Sequence, residues 1–134
     1  MTVVVVDTSA LVAIMTGEPA RGWLADQLSS ATGRFIAAPT ALELGIVLEA
    51  RASAAVGIAK RTLREARIVV VPFDEELADR AQDAWRRFGK GRHSAALNFG
   101  DCCTYALAEQ SGHPILCVGD DFRRTDLPVL QPPG

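Results

Sequence analysis

The chain has 134 residues, 14 Lys and Arg against 16 Asp and Glu, and is 49% hydrophobic. That length suits one domain able to bury a core without disulfides or a structural metal, and the apolar share excludes a disordered chain. A formal charge of −2 excludes capture of nucleic acid by a global basic field and leaves only a local patch.

Val3 to Val6 is a continuous β-branched run, which predicts a strand buried on both faces. Thr8 to Met15 predicts a helix, ended by Thr16-Gly17. Pro19 suits the first turn of a second helix running to about Ser30. Phe35 to Ala38 predicts a short strand. Thr40 opens a helix to about Arg51, and another follows to about Arg67. Ile68 to Val71 predicts a strand stopped by Pro72. Asp74 caps a helix to about Phe88, with an acidic first turn and a basic last turn. Gly89 to Phe99 is a loop, and Gly100 to Gln110 a helix closed by Ser111-Gly112. Ile115 to Val118 predicts a strand, and Val129-Leu130 a last short one. One domain over 1–134 is expected, with 131–134 a frayed tail.

Alternating strands and helices predict an α/β fold with a mostly parallel sheet and helices on both faces. Ligand sites in such sheets lie beyond the carboxyl ends of the strands. No stretch approaches the ~20 apolar residues of a membrane span, and no basic leader precedes Val3. A cytoplasmic protein is expected. The odd set Cys102, Cys103 and Cys117 matches no disulfide framework or zinc spacing and is expected to pack as small buried hydrophobes.

Carboxylates gather where that rule points. Asp7 directly follows the first strand, and Asp120 and Asp121 follow the Ile115 strand. Asp101 opens a helix, and Glu43 lies in the first turn of the helix beginning near Thr40. Each acid alone also fits a local role: a helix cap at Asp7, a capping box at Thr40-Glu43, a helix N-terminus at Asp101, a turn at Asp120-Asp121. Glu43 shares a helical face with Ile46, Val47 and Ala50, and Asp101 with Thr104, Tyr105 and Ala108. Both stripes are mainly apolar, so both acids are expected to point inward. Two such charges ~4 Å apart repel by about 4 kcal/mol at an effective dielectric of 20. A divalent cation would relieve that. Oxygen donors without His or Cys favour Mg²⁺ or Mn²⁺, and such a site suits phosphodiester hydrolysis. Thr8, Ser9, Asn98, Asp120 and Thr125 are candidate supporting groups for the metal, its water or a phosphate.

The segments Val-Val-Val-Asp-Thr-Ser-Ala-Leu-Val (3–11), Pro-Thr-Ala-Leu-Glu-Leu (39–44), Leu-Asn-Phe-Gly-Asp-Cys-Cys-Thr-Tyr-Ala-Leu-Ala (97–108) and Ile-Leu-Cys-Val-Gly-Asp-Asp-Phe-Arg-Arg-Thr-Asp-Leu (115–127) together resemble a PIN domain, and more closely the VapC ribonuclease toxins of bacterial toxin–antitoxin pairs. The likeness runs from residue 3 to about 130. It implies a three-layer PIN-like sandwich and a metal-dependent endoribonuclease whose catalytic and metal-binding acids match Asp7, Glu43, Asp101 and Asp121. Asp121 is matched because the family motif places its acid directly before Phe. Asp120 stands where many relatives have another polar residue, and Asp126 is a candidate outer-shell group. The resemblance further implies a homodimer, a VapB-type antitoxin wrapping near the active site to give a heterotetramer or larger assembly, and RNA cut to a 5′-phosphate and a 3′-hydroxyl.

The stretch from Arg86 to His93 puts four positive charges, those of Arg86, Arg87, Lys90 and Arg92, into eight residues leading to Asp101. With Arg123 and Arg124 they are candidate RNA-phosphate contacts; a solvated helix end is the plainer reading. His93 is expected to be a loop residue and not a general base. Leu11, Val12, Ile14, Met15, Trp23, Leu24 and Leu28 make the first two helices strongly apolar. Core packing accounts for most, and any surplus groove would suit an amphipathic antitoxin helix or a dimer contact. Two other functions fit the same acids: a PIN-like nuclease of rRNA processing or structured DNA, and a non-catalytic metal-binding module.

Overall fold

The computed structural model describes residues 2–51 and 53–133. Five strands form one sheet, β1 (Val3–Val6), β2 (Gly33–Ala37), β3 (Val69–Val71), β4 (Ile115–Leu116) and β5 (Val129–Leu130), in the order β3-β2-β1-β4-β5. Every pairing is parallel, and β1 lies at the centre. Val4, Val5 and Val6 have no exposed surface, because a central parallel strand is covered on both faces. Val4 and Val6 face one core with α1 (Thr8–Met15), α2 (Arg21–Ser30), α3 (Ala38–Arg51) and α4 (Ile58–Glu65). Val5 faces a second core with α5 (Glu75–Phe88) and α6 (Phe99–Ser111). The result is the expected three-layer α/β sandwich.

The predicted β1, α1 and β5 have the bounds observed, and Asp74 caps α5 by accepting from Leu77 N–H at 3.0 Å. Other boundaries move for identifiable reasons. Pro19 lies two residues ahead of α2, in a turn in which Arg21 N–H reaches Glu18 O. β2 starts at Gly33, whose missing side chain makes room for Val3 beside it on β1. α3 starts at Ala38, directly off β2, with Pro39 in the first turn where its absent N–H costs nothing. α4 stops at Glu65 because Arg67 takes a left-handed conformation at φ 55°. α6 starts at Phe99, one residue before expectation. β4 ends at Leu116 instead of Val118, because Val118 N–H turns to the Ser9 hydroxyl. A 3₁₀ turn over Phe122–Arg124 was not anticipated. Residues 131–133 have no regular structure, and Gly134 of the expected tail lies outside the described residues.

Candidate active site

Asp7, at the end of β1, is 4% exposed. Its Oδ2 accepts from Ser9 N–H at 3.1 Å and caps α1; its Oδ1 accepts from the Thr104 hydroxyl at 2.9 Å. β1 and β4 are neighbours, so Asp7 N–H also meets Leu116 O at 3.0 Å, and Ser9 Oγ accepts from Val118 N–H at 3.0 Å. The start of α1 is thereby pinned to the end of β4. Burial pushes the Asp7 carboxyl above its usual range against the pull of these donors, and the charge of Glu43 adds to the rise.

Glu43 is half-buried and accepts from the Thr8 hydroxyl at 2.6 Å. It does not close a capping box with Thr40. That residue is inside the helix, and its hydroxyl lies 3.1 Å from that of Thr104. Nor does Glu43 head an inward stripe, since Ile46 is 58% exposed and Ala50 is exposed. The buried face of α3 is Thr40, Leu44 and Leu48, and Glu43 lies on its flank. The Asp101 stripe is inward as expected, with Thr104, Tyr105 and Ala108 buried.

Asp101 and Asn98 form a reciprocal capping box at the start of α6. Asn98 N–H reaches Asp101 Oδ2 at 3.1 Å, and Asp101 N–H reaches Asn98 Oδ1 at 2.8 Å. Burial, and then the charges of Asp7, Asp121 and Glu43, push the Asp101 carboxyl up to about 7, against the Asn98 amide. The other three candidate acids therefore all act on this one group. Asp121 is exposed at the head of the 3₁₀ turn, which buried Phe122 anchors. Asp120 is exposed and turns to Arg123 at 3.4 Å.

Asp7, Thr8, Ser9, Glu43 and Asp101 line a cleft of about 330 Å³, together with Glu18 and Arg51. Among the described residues none of Asp7, Glu43 and Asp101 has an ion-pair partner, so hydrogen bonds alone, and no opposite charge, offset their burial. Also among the described residues, no three Asp, Glu, His or Cys side chains close into a ready-made metal cage. That open, all-oxygen arrangement fits Mg²⁺ or Mn²⁺, which keeps several waters and takes only one or two carboxylates plus substrate phosphates. With no His or Cys among the lining residues, it lacks the N and S donors that zinc sites usually draw on.

Several candidates do not reach the cleft. The Thr125 hydroxyl donates to Phe122 O at 2.6 Å and shapes its own turn. Asp126 accepts from the Tyr105 hydroxyl and from Arg87. Arg87 is not a free phosphate contact. Its guanidinium donates to Asp83 at 3.0 Å and to the Tyr105 hydroxyl and Glu109 at 3.1 Å, because the inner face of α5 packs along α6. Arg124 donates to Ser94 O, and Arg92 lies over the Trp85 ring while donating to Arg86 O. Arg86, Lys90 and Arg123 are exposed. His93 is a loop residue, its Nδ1 accepting from Ala95 N–H at 3.0 Å.

Burial pushes the Cys102 and Cys103 thiols up to about 11 and Cys117 up to about 12, so all three stay protonated and unreactive. Most of the apolar residues of α1 and α2 pack in or against the core. The large exposed hydrophobics include Leu42 and Ile46 on α3, and Trp85 and Phe99. None of the helices described is long and apolar enough to cross a membrane.

Gly100, Glu18 and Arg51 join the site without having been singled out, and Thr40 and Thr104, named only for a capping box and a helical stripe, support it from beneath. Thr104 stands three residues after Asp101 on its inward face, which was its only trace in the sequence.

A family model described as the PIN domain matches residues 4–127. Ribonuclease VapC of Mycolicibacterium smegmatis is 44% identical over 127 residues, spanning 94% of this chain and 98% of its own. VapC20 of Mycobacterium tuberculosis, described as a toxin that cleaves the sarcin–ricin loop, superimposes with a TM-score of 0.77 at 19% identity, over 96% of this chain and 99% of its own. The toxin–antitoxin complex from Klebsiella pneumoniae gives a TM-score of 0.70 at 15% identity, over 95% of this chain and 96% of its counterpart.

Proposed function

We propose, for a chain that belongs to the PIN-domain family and within it to the VapC ribonucleases, that the carboxylate cleft cleaves RNA phosphodiester bonds as the toxin of a toxin–antitoxin pair. The observation that carries this reading is geometric: Asp7, Glu43 and Asp101 line one cleft, and among the described residues none of them is paired with a cation of the chain. Perturbed acids gathered in a cleft mark a site that trades stability for chemistry.

Asp7, Glu43, Asp101 and Asp121 would hold Mg²⁺ or Mn²⁺, which when bound supplies a Lewis acid and an acidified water at the scissile phosphate. The protein's own groups do the rest. The Thr8 hydroxyl holds Glu43, and the Asn98 amide holds Asp101. Arg51, on the cleft wall, replaces Arg87 as the cation suited to contact an RNA phosphate. Lys90 and Arg86, exposed on the surface, would add weaker contacts farther out, and Arg123 would do so from its exposed pair with Asp120. The products would carry a 5′-phosphate and a 3′-hydroxyl.

A VapB-type antitoxin is the expected inhibitor, and the cytoplasm the expected compartment. The exposed Leu42, Ile46, Trp85 and Phe99 provide apolar surface for a homodimer and a larger complex with antitoxin.

Purified protein should cleave cellular RNA, and Asp7→Asn or Asp101→Asn should abolish both cleavage and growth inhibition while the far-UV circular dichroism is kept. Full activity in either variant, or in excess chelator, would overturn this reading. Metal binding without hydrolysis across tRNA, rRNA and branched DNA would point to a binding module instead.

A further inference from the structure

Thr40 on α3 and Thr104 on α6 are fully buried, and their hydroxyls meet at 3.1 Å. Thr104 Oγ lies 2.9 Å from Asp7 Oδ1. Asp7 is an acceptor when ionised, so the single Thr104 proton goes to it. Thr104 can then only accept from Thr40. The direction of the chain is forced: Thr40 donates to Thr104, and Thr104 to Asp7. A second hydroxyl, that of Thr8, donates to Glu43.

We infer that the Thr40–Thr104 hydroxyl pair is a positioning device for Asp7, fixing its carboxylate in the cleft without neutralising it. The inference rests on the nuclease reading above. A Lys or Arg in the same place would also fix Asp7, but it would cancel the charge that a divalent cation needs. A hydroxyl supplies direction and leaves the full negative charge. Burial makes the pair irreplaceable by solvent, since water has no access to either threonine. Ser9 N–H restrains Oδ2 as Thr104 restrains Oδ1, so the carboxylate is held at both oxygens and retains lone pairs for the cleft. Neither threonine lines the cleft, so neither is assigned any contact with substrate.

The test uses the full chain with Thr104→Val, which keeps the volume and loses the hydroxyl, and Thr104→Ser, which restores it. Calorimetric titration with Mn²⁺ should show affinity reduced about tenfold or more in Thr104→Val and near wild type in Thr104→Ser, as for other groups that orient metal ligands. On RNA, kcat should fall by a similar factor while KM stays. The Asp7 carboxyl ¹³C resonance reports its hydrogen bonding whether or not a cation binds. It should shift in Thr104→Val and return in Thr104→Ser. Thr40→Val should move all three readouts the same way by less, and serves if Thr104→Val fails to fold. An unshifted resonance in Thr104→Val would overturn the inference, as would equal damage in Thr104→Ser. If wild type itself neither binds Mn²⁺ nor cleaves RNA, the nuclease reading fails, while the resonance still decides the positioning role.

Discussion

Glu43 lays its carboxylate over the bare Cα of Gly100, so closely that a methyl group there would sit 2.5 Å from Oε2. Gly100 immediately precedes Asp101, so this glycine sets the approach of one candidate ligand to another across the α3–α6 contact.

Gly100→Ala should therefore separate activity from stability. The added methyl must displace the Glu43 carboxylate from its Thr8 bond. Misplacement by about 1 Å can cost roughly a hundredfold in rate. Alanine is the better helix former by up to ~1 kcal/mol, so the thermal midpoint should hold or rise. Thermal denaturation and RNA-cleavage rates on one preparation check both. Wild-type cleavage by Gly100→Ala would show that Glu43 can move without consequence.

The pH dependence of stability follows from Asp101. Its carboxyl rises on folding from 3.8 to about 7. Between those values the folded state binds more protons than the unfolded one, so this group makes stability fall as pH rises through that window. Asp7 is shifted in the same direction. In chelator, urea unfolding should show a steeper loss between about pH 5 and pH 7 in wild type than in Asp101→Asn. Millimolar Mn²⁺ should reduce that loss, because cation binding favours the ionised carboxylates of the folded state. Equal slopes in wild type and Asp101→Asn would refute the assignment.

Two arginines should behave oppositely. Arg87 ties Asp83, Glu109, Asp126 and Tyr105 together, but its side chain is 36% exposed, so solvent screens much of the gain. Arg87→Gln is expected to cost about 1 kcal/mol and lower the midpoint by roughly 4 °C, with the catalytic rate kept. Arg51 is exposed and lines the cleft. Arg51→Gln should leave the midpoint alone and raise KM for RNA severalfold. It should also reduce the salt dependence of RNA binding by about 0.7 in log–log slope, the share of one single-strand phosphate contact. Calorimetry and salt-titrated RNA binding separate the two.

The local half of this site could be read from sequence. Val3–Val6 is too continuous for a half-exposed strand, and a parallel sheet sends Asp7 and the residues after β4 to one edge. The other half was hidden because it depends on distant pairs. Thr40 and Thr104 meet across 64 positions, and Thr104 and Asp7 across 97. No periodicity encodes such a bond. Glu43 misled for a different reason. Ile46 and Ala50 are apolar but exposed, so the stripe marked a surface of α3 and not its core. Arg87 misled because charge alone does not tell a free cation from one already matched by Asp83 and Glu109.

The central place of β1 also has a consequence in time. It precedes β2 to β5 in the chain, yet β4, its neighbour on one side, begins at residue 115, and the hydroxyl that holds Asp7 arrives only at residue 104. A ribosome that has made the first hundred residues carries Asp7 and Glu43 without Asp101, Thr104 or β4. Up to that point the chain holds only two of the four acids proposed to form the site. The cleft takes shape only once Asp101 and Thr104 have been added and β4 has paired with β1.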